Sequence, residues 1–292
     1  MTNLQRIAVI GLGAMGSRIA QNLLNSGNYA VVVNNRSPEK ARRLIEQGAI
    51  WATTPRAASE QSDVVISMVT NNEASQDVWL MPERGALWGL TPPKVAIVMS
   101  TLTVDRVQEL NSSIIQQGAK FLEVPVLGSR PQAEARKLIG LAGGTRAVVT
   151  QINSVLTDAG LMTIHHLGSV GQGMACKLAV NALFGIQVAA IAELLGMLTH
   201  VGISPTQAMS CFSDLPVLSL AAKGAGNLIA AQNHAPLFPI NLVSKDFLYA
   251  TQLAQSLEAS LPISNAVLAG YQSAIAQGYG DQNITSIAQL FL

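Results

Sequence analysis

Residues 7–20 read Ile-Ala-Val-Ile-Gly-Leu-Gly-Ala-Met-Gly-Ser-Arg-Ile-Ala, an apolar run that breaks at Gly11 and resumes with helical character after Gly16. Three glycines at the spacing G-x-G-x-x-G, between a strand and a helix, leave few folds open. The first permits a tight turn, the second lets backbone approach a pyrophosphate, and the third lets the helix pack close to the strand. The helix start then presents unpaired N–H groups and a positive dipole end to phosphate. A secretory leader would need a basic stretch ahead of this run, and one is nearly absent.

The pattern that follows supports the same organisation. Arg6–Ile10, Ala30–Val33, Asp63–Val69 and Val95–Met99 read as short strands rich in Val and Ile, while 14–26, 38–47, 75–80 and 104–117 have helical character. Such alternation predicts βαβ units and a doubly wound, mainly parallel sheet, a Rossmann domain. From Gly173 onward the period is helical, with a long apolar helix over 175–201 and further helices at 204–213, 218–231, 241–256, 262–276 and 285–292. We therefore expect an α/β domain over 1–164 followed by an all-α domain over 165–292.

The second strand ends in Val33-Asn34-Asn35-Arg36-Ser37, with Lys40 one turn on. A carboxylate at this point would bind a ribose 2′-hydroxyl, and none is present. Asn35, Arg36, Ser37 and Lys40 instead suit a 2′-phosphate. The predicted cofactor is NADP(H), held by Gly11, Leu12, Gly13, Ala14, Met15 and Gly16 and selected by that second group. Val69 and Thr70 are placed in the same cofactor site; Thr101, at a strand's carboxyl end where such sheets bind ligands, either joins them or is a plain turn threonine.

Composition narrows the partners. Apolar residues make up 49% and charged residues 12%. So sparse a charge implies surface hidden between subunits, and we expect a homodimer or larger homo-oligomer. A net charge of +1 gives no general attraction to nucleic acid or acidic membranes. The apolar stretch 178–203 carries Asn181, Gln187, Glu193 and His200, which suits a buried helix rather than a membrane span. Two cysteines, Cys176 and Cys211, make neither a disulfide scaffold nor a metal pair, and point to a cytoplasmic setting. His165 and His166 lack a third ligand at metal spacing and are read as a turn or interdomain pair. No metal is expected.

Several further stretches carry a family resemblance. They are Gly-Leu-Gly-Ala-Met-Gly at 11–16 with Asn22-Leu23, Asn-Arg-Ser-x-x-Lys at 35–40, Ser100-Thr101, Gly171-Gln172-Gly173 before Lys177, Leu178 and Asn181, and Lys245-Asp246. In this order and spacing the chain resembles the β-hydroxyacid dehydrogenase family, with its 3-hydroxyisobutyrate dehydrogenases and glyoxylate or succinic semialdehyde reductases. The resemblance implies hydride transfer between NADP(H) and a small hydroxy acid or alcohol and its carbonyl form, with Lys177 as proton donor. Chemistry agrees, since hydride addition to a carbonyl leaves charge on oxygen that a proton donor must quench. A lysine in an apolar helix has its charged form disfavoured. Asn181, four residues on and on the same helical face, would orient the lysine or the substrate oxygen. By themselves these residues leave open a lysine that reaches to water and an asparagine that caps backbone. By the same resemblance Lys245 could close the substrate site or bind the cofactor, and Asp246 could position a lysine by a charge pair; the residues alone leave open a solvated Lys-Asp pair at a helix start.

One departure bears on the substrate. Glu123-Val124-Pro125-Val126-Leu127-Gly128-Ser129 is similar to the family's D-A-P-V-S-G-G stretch, which implies substrate contacts at Leu127, Gly128 and Ser129 along with Lys177 and Asn181. Leu127 stands where the family has a serine for the substrate's carboxylate, and leucine donates no hydrogen bond. Ser129 and Arg130 could take over that contact, or the substrate lacks the carboxylate. Arg136-Lys137 replaces a small glycine-rich turn, and Asn283 replaces an acid. Two rival functions follow: an imine reductase with an apolar pocket, against which the lysine at 177 argues, and an NADP-binding interaction protein whose catalysis has lapsed.

Overall fold

A computed structural model describes residues 4–292. In chain order its first part runs β1 (Arg6–Ile10), α1 (Gly16–Ser26), β2 (Ala30–Asn34), α2 (Arg42–Glu46), β3 (Ile50–Trp51), α3 (Pro55–Glu60), β4 (Val64–Ser67), α4 (Asn72–Leu80), β5 (Val95–Val98) and α5 (Val104–Gln116). It continues with β6 (Lys120–Glu123), β7 (Val126–Leu127), α6 (Arg130–Glu134), β8 (Leu138–Gly143), α7 (Arg146–Gln151), α8 (Asn153–Asp158) and β9 (Leu161–Gly168). Five helices follow: α9 (Gln172–His200), α10 (Pro205–Ser213), α11 (Leu220–Ala230), α12 (Ile240–Ser256) and α13 (Pro262–Ala276). The segment 285–292, predicted as an α-helix, is instead a 3-10 helix over Ile284–Leu290.

The described strands form one nine-stranded sheet in the order β3-β2-β1-β4-β5-β6-β8-β7, with β9 paired to β8. Every pair from β3 to β6 is parallel, and β8 runs antiparallel to β6 and β7. Alternation along each strand feeds two cores: Ile7, Val9, Val31, Val33, Ile66 and Ile97 pack on one face, and Ala8, Ile10, Val32, Val65, Ala96 and Val98 on the other. Residues apolar at every position are what a strand covered on both faces requires. Sequence patterning did not pick out β6 to β9. Their runs are short, and β8 is half glycine and alanine, which carry little strand signal.

Local chemistry sets the helix limits. Gly27 ends α1 in the left-handed region at φ 69°. Asn71 accepts from the N–H of Ala74 at 2.9 Å, which starts α4 three residues before the predicted Ser75. Thr103, Ser204 and Ser219 cap α5, α10 and α11 in the same way.

The chain divides into two compact units after Lys177, not at 164/165. The shift has a plain cause, because β9 runs on to Gly168 and the first turn of α9 is fastened to the sheet, as described below. His165 and His166 accordingly lie within β9 rather than in a turn, with His166 Nε2 2.8 Å from the Gly144 carbonyl. No cluster of metal-ligating side chains occurs among the described residues.

The second unit, from Leu178, is built on helices. Its core gathers Val188, Ile191, Ala192 and Leu195 of α9 with Phe247, Tyr271 and Ile287. Gly185 gives Phe247 room, since a Cβ there would come within 2.5 Å of its ring, and the Tyr271 hydroxyl donates to the Gly185 carbonyl at 2.9 Å. Although α9 is long and apolar enough to cross a membrane, its core-facing residues are packed inside this unit. Leu183, Leu194 and Met197 of the same helix, and Val201 just past its end, are exposed.

Candidate active site

Parallel pairing lines up the carboxyl ends of the central strands. Asn34 pairs with Ile10, Ile10 with Ser67, Ser67 with Val98, and Val98 with Glu123. The residues that follow those partners lie along one edge of the sheet: Gly11 after β1, Asn35 after β2, Val69 and Thr70 after β4, and Thr101 after β5. Strand order reverses around β1 and β4, which is where open α/β sheets bind ligands.

The glycines at 11, 13 and 16 have three different reasons. Gly11 has φ 96°, and a side chain there would collide with the Met68 carbonyl. A Cβ at Gly16 would strike the Gly11 carbonyl, so the helix can lie this close only without one. Gly13 is exposed and a Cβ there would meet no atom within 4 Å. Nothing in the protein's own packing requires a glycine at 13, whereas close backbone approach to a pyrophosphate does. The loop therefore fits the dinucleotide. Leu12 turns its side chain into the core and offers only backbone, while Ala14 is exposed and Met15 half-buried.

Asn35 has a role that spacing did not reveal. Its Oδ1 accepts the Leu12 N–H at 2.8 Å and its Nδ2 donates to the Ser37 carbonyl at 3.0 Å. The side chain thus buckles the end of β2 to the glycine loop, leaving exposed Arg36 and Lys40 and half-buried Ser37 as the groups that can face a 2′-phosphate. The neighbouring Ser100 hydroxyl accepts the Val69 N–H at 2.8 Å and holds the end of β4 to that of β5.

A second glycine motif is filled by the protein itself. Glu123, fully buried at the end of β6, accepts through Oε1 from the N–H groups of Gly171 (2.7 Å), Gly173 (3.0 Å) and Met174 (3.3 Å). Burial pushes its carboxyl up to about 7, against the downward pull of those three hydrogen bonds. Glu123 drew notice only as the first residue of a motif. The signal available was an acid ending an apolar strand ahead of a G-x-G that opens a helix. One turn beyond, Lys177 is buried at 8% exposure. Met174 is also buried, and its sulfur lies 3.3 Å from the Leu102 amide nitrogen.

In the second unit, Asn181 Nδ2 donates to Asp246 Oδ2 at 2.6 Å. The other oxygen of Asp246 lies 2.9 Å from Lys245 Nζ, an ion pair by distance though not aligned as a hydrogen bond. Lys245 also stands over the Tyr249 ring, 4.7 Å from its centre. Asp246 thus orients Asn181 and pairs with its chain neighbour. Asn283 accepts from the N–H groups of Leu237 and Phe238 and donates to Thr285 at 3.0 Å, the last a bond no carboxylate could give.

Leu127 lies half-buried on β7, paired with Ile139. Gly128 has φ 112°, and a Cβ there would come 2.9 Å from Gln132 and Leu138. Both the N–H and the hydroxyl of Ser129 donate to Gln132 Oε1, each at 2.9 Å, so its polar groups are already engaged at the start of α6. Arg136 holds φ 57°, the left-handed geometry for which glycine is the usual residue.

Fold and edge together define a dinucleotide-binding oxidoreductase. Residues 6–183 match the NAD binding domain of 6-phosphogluconate dehydrogenase, and 171–291 match the NAD-binding domain of NADP-dependent 3-hydroxyisobutyrate dehydrogenase. The chain belongs to the β-hydroxyacid dehydrogenase family, whose members are NAD(P)-dependent dehydrogenases and reductases, and the cofactor that goes with this membership is NADP(H).

Among its relatives, the oxidoreductase YfjR of Bacillus subtilis is 32% identical over 94% of this chain and 96% of that protein. Glyoxylate/succinic semialdehyde reductase 1 of Arabidopsis thaliana is 28% identical over 97% of each. The cytokine-like nuclear factor N-PAC of Anopheles gambiae is 30% identical over 97% of this chain, which spans about half (49%) of that longer protein. In the solved structures, Psf3 with NADP+ and 2-OPP has a TM-score of 0.89 at 25% identity, covering 98% of this chain and all of that one. An imine reductase from Pseudomonas sp. has a TM-score of 0.65 at 26% identity over 98% and 99%.

Proposed function

We propose that the protein reduces a small aldehyde, keto acid or related carbonyl with NADPH, using Lys177 as proton donor. The observation that carries this reading is a buried lysine one helical turn beyond a first turn fastened to the carboxyl edge of β6, the same sheet edge that bears the glycine loop. The backbone of 11–16 would hold the pyrophosphate, while Arg36, Ser37 and Lys40 would hold the 2′-phosphate. Bound there, NADPH supplies the hydride. Lys177 gives a proton to the carbonyl oxygen as negative charge develops on it, so that the product leaves as an alcohol. Asn181, oriented by Asp246, offers its amide to the same oxygen or to the lysine, and Lys245 helps complete the site.

The test is NADPH consumption against glyoxylate, succinic semialdehyde, methylmalonate semialdehyde and uncharged aldehydes of similar size, repeated with NADH. We expect turnover with NADPH on at least one carbonyl, and no oxidation above background on any of them would sink the reading. Leu127 favours substrates without a carboxylate at that subsite, because a carboxylate beside leucine loses a hydrogen bond. It is also the observation behind a second reading, imine reduction, which turnover of cyclic imines in preference to short aldehydes would establish. NADPH binding without turnover of any carbonyl or imine would mark a lapsed enzyme with a binding role.

We also propose a homodimer or larger assembly in the cytoplasm. The exposed Leu183, Leu194 and Met197 on α9, with Val201 just past its end, support the first, and two free thiols the second. Light scattering at micromolar concentration should give at least twice the mass of one chain, and a single-chain mass would exclude the assembly.

A further inference from the structure

We propose that Glu123 is the positioning residue for Lys177: its carboxyl group, seated in the N–H groups of Gly171, Gly173 and Met174, sets where α9 begins and so where the lysine stands. The inference rests on the reading of Lys177 as proton donor.

Four observations carry it. The site is made for a carboxyl group, because a side chain at Gly143 would collide with Glu123 Oε1, and a Cβ at Gly173 would lie 3.1 Å from the same oxygen. Gly171 has φ 100°, which turns successive N–H groups toward one point, a backbone nest for an anion. A buried carboxylate is costly, and an apolar side chain of similar volume would hold the strand end more cheaply, so the acid serves something other than packing. Finally, Oε2 has no hydrogen-bond partner among the described residues, so the group's hydrogen bonding is directed at the start of α9.

The consequence for Lys177 is geometric. It follows Gly173 by four residues and Met174 by three, about 6 and 4.5 Å along the helix axis. With the first turn held at both Gly173 and Met174, the lysine's Cα is fixed against the sheet edge. Misplacement by about 1 Å can cost on the order of 100-fold in rate.

Glu123→Gln keeps a carbonyl acceptor at the same reach, while Glu123→Met keeps length and bulk and removes the acceptor. Three quantities would be read: kcat on the fastest carbonyl, NADPH affinity by fluorescence quenching, and amide hydrogen exchange of the peptide 171–178. We expect Glu123→Gln to stay within about threefold of wild-type kcat with exchange unchanged. We expect Glu123→Met to lower kcat at least tenfold and speed exchange at least tenfold, with NADPH affinity within about twofold.

A Glu123→Met enzyme with wild-type kcat overturns the proposal. So does a Glu123→Gln enzyme as slow as Glu123→Met, since the charge and not the hydrogen-bonded placement would then matter. Should Glu123→Met fail to fold, Gly143→Ala displaces the same carboxyl group and is read by the same criteria. Full turnover in Lys177→Ala would remove the donor reading, and with it the proposal's catalytic half. The exchange measurement then decides separately whether Glu123 holds the turn.

Discussion

Lys177→Ala should lower kcat by about 10²–10⁴-fold, the usual worth of a positioned general acid, while NADPH affinity changes little. The glycine loop and the 2′-phosphate group lie on the loops after β1 and β2, far along the chain from this lysine. Because proton donation matters only as charge builds on the carbonyl oxygen, kcat and kcat/KM should fall together. Lys177 is 8% exposed, so water has poor access to replace it from its own side. Lys177→Arg should be almost as slow, since guanidinium keeps its proton throughout the pH range of enzymes. Full turnover by either variant on the same substrate would show that the proton comes from elsewhere.

Arg36→Glu is expected to overturn the cofactor preference, weakening NADPH by about 100-fold or more and leaving NADH within a fewfold. A charge-assisted hydrogen bond contributes about 1.5–3 kcal/mol, and the introduced carboxylate adds repulsion toward a 2′-phosphate while accepting from a free ribose hydroxyl. Each 1.4 kcal/mol is tenfold in affinity. Arg36 is exposed, so salt will screen part of the effect, and the ratio should shrink as ionic strength rises. The measurement is the ratio of kcat/KM for NADPH and NADH at low and high salt. A ratio within threefold of wild type would mean that Lys40 and Ser37 select the phosphate without Arg36.

The parts of the molecule legible in sequence are those where one local rule acts alone. The glycine spacing at 11, 13 and 16 is a local signature of a strand-to-helix phosphate turn, and strands β1, β2, β4 and β5 are mostly apolar because both faces of the sheet are covered. Where distant segments decide, the residues did not announce themselves. β8 is half glycine and alanine and β9 carries a His-His pair, so their places, set by pairing with each other and, for β8, with β6 and β7, are poorly marked in the residues. The sequence groups Asn35 with the 2′-phosphate contacts, yet its amide is spent on Leu12 and Ser37, the first a bond between segments 23 residues apart. Glu123 bridges 48 residues to Gly171, and the acid and its receiving N–H groups read as unrelated until brought together. Ser129, a candidate to replace the family's serine, is committed to Gln132. The resemblance supplied Lys177 and Asn181, which helical spacing alone would have left as a lysine reaching water and a capping asparagine.

Two glycine-built receptors for acceptor groups stand on this sheet edge, and one of them receives a side chain of the same chain. That at 171–173 is filled by a group of the chain itself, the carboxyl group of Glu123, so a dissolved phosphate or sulfate would have to evict a tethered competitor that never leaves. That at 11–16 has no such resident. Soluble anions and phosphate-bearing inhibitors should therefore register at the first receptor alone, and a sequence search for phosphate-binding glycines will return a second hit here that is chemically closed.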